Sequence, residues 1–192
     1  MDPMARRAER LPDAVTTRAF TLVELLVVMA IVGLLAGLLL PVLGRARAQA
    51  KGAACLSNLR QIGVALQLYV DENDNRLPIL YDAPPASPGA PRTNTLDVVL
   101  TNHLGSTQVL GCPADRERLF DRTGSSYAWN TLVNGQPADR LSLLGLPFNP
   151  HQIPLVFDKE KFHAARGAGK EINFLYADGH IKNLLEMAGS RP

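Results

Sequence analysis

Two hydrophobic patterns follow one another near the N-terminus. From Leu25 to Leu40 there is no polar side chain. Adding Phe20 to Glu24 and Pro41 to Leu43 gives 24 apolar-dominated residues, which as a helix span about 36 Å, enough for a hydrocarbon core of roughly 30 Å. The pattern then becomes amphipathic. Cys55, Leu59, Ile62, Leu66 and Tyr69 recur at helical spacing, while Arg60, Gln61 and Gln67 face elsewhere. "DENDNRLP" should end the run, because Asn75 and Pro78 are helix breakers. The spacing thus predicts one helix of about 50 residues, from Phe20 to near Val70. Its first half is apolar all round and its second half is striped.

Beyond that helix the pattern shortens. Asp82 to Arg92 is a Pro-rich surface loop, and "TLDVVLTNHL" reads as a short helix or turn. The runs "QVLGC", "SSYAWNTLV", "IPLVFD", "INFLYA" and "HIKNLL" read as short strands between Gly, Pro and Asn breaks. Asp178-Gly179 is a two-residue hairpin signal. Ile172, Phe174 and Tyr176 alternate ahead of it, so their face should cover the long helix. The expected fold is α+β: a long N-terminal helix, its first half transmembrane, packed on a small antiparallel sheet. The expected divisions are residues 1–19, a basic leader; 20–43, the membrane or filament-core helix; 44–78, its amphipathic continuation and turn; and 79–192, the globular head.

Composition narrows the function classes. The chain has 192 residues with a net charge of +2, giving no reason to expect nucleic acid as a partner. Cys55 and Cys112 lack metal-ligand spacing and are too few for a disulfide framework. An envelope location would allow them to bond; otherwise they are two buried thiols. No GxSxG, P-loop, HExxH or Cys-His nucleophile pattern is present, so the chain reads as a non-enzyme that requires no cofactor. "DENDN" alternates carboxylates as calcium loops do, but Arg76 stands where the loop glycine belongs, so it reads as a helix-ending turn. Asp158, His163, Asp178 and His180 are the one set whose oxygen and imidazole atoms could hold a divalent ion. The simpler reading, which we favour, is that Asp178-Gly179 is ordinary turn chemistry and the histidines are exposed polar residues.

Glu24 is the anomaly. A carboxylate within a membrane helix costs on the order of 3 kcal/mol. A secretory signal peptide would explain Arg6, Arg7, Arg10 and Arg18 and a small-residue site near Ala48-Gln49-Ala50, but not so long an apolar run or the glutamate. A plain signal anchor is poorly oriented, because Arg45, Arg47 and Lys51 flank its far side too. The order Arg18-Ala19, Phe20-Thr21-Leu22-Val23-Glu24, apolar helix and Pro41 resembles the type IV prepilin signature. The resemblance implies cleavage between Ala19 and Phe20 by a prepilin peptidase, with methylation of the new amine. Phe20 becomes the first mature residue, Glu24 the fifth and Pro41 the twenty-second. Ala19 departs from the glycine the family usually places before the cut. In such filaments the glutamate pairs with a neighbouring subunit's N-terminal amine. Pro41 should kink or locally melt the helix, and Gly33 with Gly37 would allow close helix approach.

A narrower resemblance spans nearly the whole chain. "CLSNLRQIGVALQLYVDENDNRLP", "CPAD", "SYAWN", "PLVFD" and "NFLYADGH" occur in the order seen in prepilin-like proteins whose C-terminal domain is named for a His ahead of an Asp-Gly pair. These are relatives of type II secretion pseudopilins, some of which bind calcium in their heads. The candidate His163 is separated from Asp178 by 14 intervening residues, a wider gap than that family's. The resemblance implies a single-pass inner-membrane subunit, leader cytoplasmic and head periplasmic, whose partners are the prepilin peptidase/methyltransferase, the membrane and other pseudopilin subunits. The competing expectation is an anchored or secreted envelope-binding module with no filament role.

Overall fold

The computed structural model describes residues 21–82, 93–143 and 145–183. The leader, Ala19, Phe20 and all but the first residue of the Pro-rich loop lie outside the described residues. The chain divides into two compact units, with the boundary between Pro41 and Val42.

Helix α1 runs from Leu22 to Glu72, 51 residues. Pro41 lies inside it and the helix continues through that position, so the expected local melting does not occur. Within the first unit every described side chain is exposed, from Leu22 to Leu40. It is a candidate membrane span by length and composition.

In the second unit α1 behaves as an amphipathic core helix. Gly52, Cys55, Leu59, Ile62, Ala65, Leu66 and Val70 are buried at intervals of three and four. The helix ends through a left-handed turn, with Asp74 and Asn75 at φ 53° and 57°. Asp and Asn tolerate this region better than other non-glycine residues, and the Asn75 N–H donates back to the Val70 carbonyl at 3.1 Å.

The rest of this unit is short elements on one core. Helices α2, Leu96–Val99, and α3, Leu119–Thr123, precede the strands β1, Tyr127–Trp129, β2, Ser142–Leu143, β3, Leu146–Pro147, β4, Pro154–Asp158, β5, Phe174–Tyr176, and β6, Ile181–Lys182. Strands β1-β4-β5-β6 form an antiparallel sheet in that order, and β2 pairs with β3 alone. Leu59, Ile62, Leu66, Tyr127, Val156 and Leu175 belong to the shared core.

Three local expectations change. "QVLGC" is not a strand: Thr107–Leu110 form a 3-10 turn, because the Ser106 side chain accepts the Gln108 N–H and caps it. "SSYAWNTLV" is strand only to Trp129, since the Asn130 side chain accepts the Leu132 N–H and starts another 3-10 turn. The phase of β5 is also shifted by one residue. Leu175, not Phe174, meets α1, because Gly63 has no Cβ and a Cβ there would lie 3.3 Å from Leu175. Phe174 instead lies against Phe157 in a tilted pair, ring centroids 5.9 Å apart, and stays partly exposed.

Candidate functional site

Three places hold the residues that chemistry would use. The first is the start of α1. Thr21 precedes the first helical residue, and Glu24 is three residues further on. The Thr21 N–H and hydroxyl both donate to Glu24 Oε2, at 2.9 and 2.7 Å, and the Glu24 N–H donates back to Thr21 Oγ1 at 3.2 Å. This is a reciprocal capping box, which satisfies N–H groups that a helix start otherwise leaves unpaired. Glu24 Oε1 makes no hydrogen bond among the described residues. The Thr-x-x-Glu spacing ahead of an apolar run was a readable signal for this cap, and sequence reasoning missed it.

The second place is buried. Cys55 on α1 and Cys112 form a disulfide, with Cα atoms 5.2 Å apart. His163 Nε2 lies 3.8 Å from Cys112 Sγ and 3.4 Å from Asp158 Oδ2, and all four side chains are buried. Asp158 Oδ2 also accepts the Asn173 backbone N–H at 2.7 Å and its side-chain amide at 2.8 Å. Asp158 ends β4 and Asn173 sits just before β5, so this carboxylate fixes where the two strands enter the sheet. Beside it, burial pushes the Tyr127 hydroxyl far above its usual range, and the Asp158 charge adds to the effect.

The third place is the β5–β6 turn. The Gly179 N–H donates to the Tyr176 carbonyl at 2.9 Å, with Gly179 alone in the left-handed region at φ 85°. Asp178 does not share that conformation, so the turn is not the expected two-residue primed turn but a turn closed by a left-handed glycine, which glycine adopts without strain. Asp178 Oδ1 is hydrogen-bonded to His180 Nδ1, and Asp178 Oδ2 to His151 Nδ1. Partial burial alone would raise the Asp178 carboxyl, but hydrogen bonds from the His180 side chain and backbone and from His151 outweigh it and hold it below the usual carboxylate range. His180 is stacked on Tyr176, ring centroids 4.3 Å apart.

The four residues expected to share one ion are therefore divided. Asp158 and His163 form a buried pair, whereas Asp178 and His180 belong to a surface group completed by His151. The division follows from topology: β4 ends at the buried disulfide side, and the hairpin turn stands next to the 3-10 turn Pro150–Gln152 that carries His151. No local motif links His151 to Asp178, 27 positions away.

Residues 16–40 match the family profile of the prokaryotic N-terminal methylation motif. No characterised protein and no solved structure matches the chain. The motif implies processing by a prepilin peptidase and assembly with other pilin subunits, and proteins that carry it are structural subunits rather than enzymes. With this motif, the long N-terminal helix, apolar enough to cross a membrane, and the small antiparallel sheet, the chain fits a type IV pilin-like protein.

Proposed function

We propose that this chain is a pseudopilin-like or minor-pilin-like subunit of a bacterial envelope filament or a type II secretion-like apparatus. Prepilin peptidase cuts between Ala19 and Phe20, and the new Phe20 amine is methylated. The leader is cytoplasmic, the apolar half of α1 crosses the inner membrane, and the head lies outside the cytoplasm. The observation that carries this reading is Glu24: a single carboxylate at the head of a wholly exposed apolar run, with one oxygen free of hydrogen bonds among the described residues.

A carboxylate held in apolar surroundings is stabilised by a cation. The amine released at Phe20 of a neighbouring subunit supplies one, so the ion pair forms only in the assembly and sets the register between helices. The capping box explains how the same side chain is tolerated before assembly, since Thr21 already donates two hydrogen bonds to it. Pro41 and the Gly33–Gly37 pair belong to the same packing segment, with the glycines allowing close helix approach.

N-terminal sequencing with intact mass tests this reading. It expects N-methyl-Phe20 as the mature N-terminus. A mature chain starting at Met1 or near Gln49 overturns it in favour of an anchored or secreted envelope module.

A further inference from the structure

The buried cysteines are bonded to each other, so they offer no thiolates to an ion beside His163. The surface group is different. One ligand atom each from His151, Asp178 and His180 lies within 4.8 Å of the others. Two imidazole nitrogens, both Nδ1, converge on the two oxygens of a single carboxylate. Ligands about 2 Å from a tetrahedral zinc ion stand roughly 3.4 Å apart, so the two histidine nitrogens, here in direct contact with the carboxylate, move outward to admit an ion and complete a three-ligand face.

We infer that His151, Asp178 and His180 form a surface site for a borderline divalent transition metal, of the zinc or cobalt type, in a two-histidine, one-carboxylate arrangement. The donor set selects the ion. Calcium and magnesium take oxygen ligands, whereas imidazole suits zinc, copper, iron and nickel. Three protein ligands leave further coordination positions open to water or to a group from outside the chain.

The structure preorganises two ligands and leaves the third adjustable. Asp178 is in the β5–β6 turn, and the His180 ring is fixed by its stack on Tyr176. His151 comes from a separate 3-10 turn and its side chain is 66% exposed, so it can swing onto an ion without disturbing the core. His180 Nε2 is buried with no hydrogen-bond partner among the described residues. A histidine ligand normally has an outer partner on its second nitrogen, and lacking one weakens the site. The site is therefore exchangeable rather than a fold-defining structural metal. It lies wholly within the second unit, so it stands whether or not the N-terminal segment is cut and assembled.

The test uses the full chain, without a histidine tag, purified in detergent micelles, stripped with chelator and dialysed against zinc chloride. The expected result is one saturable zinc per chain. His151→Ala should weaken binding at least tenfold, because one of three ligands is lost, and should leave the far-ultraviolet circular dichroism unchanged. His103→Ala should bind zinc as the parent does, since His103 pairs with Glu72 elsewhere. Calcium chloride at the same concentrations should not saturate the site. Absence of saturable zinc binding, retention of parental affinity by His151→Ala, loss of binding in His103→Ala, or calcium binding tighter than zinc would each overturn the assignment.

Discussion

Leu35 and Leu59 are the same residue on the same helix, yet Leu35 is 53% exposed and Leu59 is wholly buried. Between Leu22 and Leu40 the apolar side chains cover the entire circumference, and none is buried among the described residues. Between Gly52 and Val70 they form a stripe, and the sheet and loops of the second unit cover it. What differs between the halves is who supplies the apolar partner. The second half finds it in its own chain. The first half finds none among the described residues, and its length and composition fit a membrane-anchored segment.

Breaking the buried half should have the largest effect. The disulfide closes a loop across a sequence separation of 57, and the chain-entropy relation assigns it about 4 kcal/mol. Cys55→Ser with Cys112→Ser should lower the denaturant midpoint of the head accordingly, while the membrane-associated fraction stays the same. Leu59→Ala should cost about 3 kcal/mol through lost burial and the cavity it leaves. Leu35→Ala should leave the same denaturation curve unmoved. If Leu35→Ala destabilised the head as much as Leu59→Ala, the division between the halves would fail.

Smaller changes sharpen the comparison. Thr21→Ala removes the hydroxyl from the capping box and should cost the first turn of α1 about 1 kcal/mol. Faster amide exchange confined to the N-terminal turn would show it. The smallest effect is at the hairpin. The folded Asp178 carboxyl titrates below its unfolded value, so its contribution is fully present above the ordinary carboxylate range and is lost as pH falls through the depressed folded value. In chelator-treated protein, Asp178→Asn should flatten that acid limb of the stability profile. His151 and His180 are the groups that face Asp178, so their alanine variants should shift the limb upward in pH.

The periodicity of α1 was legible because one element carries its own signal over many turns. Its apolar run, its stripe and its stop at "DENDN" can each be read without knowing what packs on them. The sheet was less legible. Strands of two to five residues carry little periodicity, and the face of β5 was decided by a glycine 112 positions upstream, where Gly63 admits Leu175. The surface cluster was half legible. Asp178 and His180 are local to one turn, but His151 reaches them only through the pairing of β4 with β5. Whether Cys55 and Cys112 meet was open in the sequence for the same reason: spacing says nothing about which loop folds back onto which helix face.

The most direct test of the central claim separates the two roles of Glu24. Glutamine can still accept the Thr21 hydrogen bonds of a capping box but carries no charge. Glu24→Gln and Glu24→Ala should therefore be compared with the parent in the native host, measuring the share of each recovered in sheared filaments or crosslinked subunit ladders. The account predicts that Glu24→Gln is stably anchored and yet fails to assemble, as Glu24→Ala does. Assembly of Glu24→Gln at the parental level would contradict it, leaving Glu24 as a helix cap and nothing more.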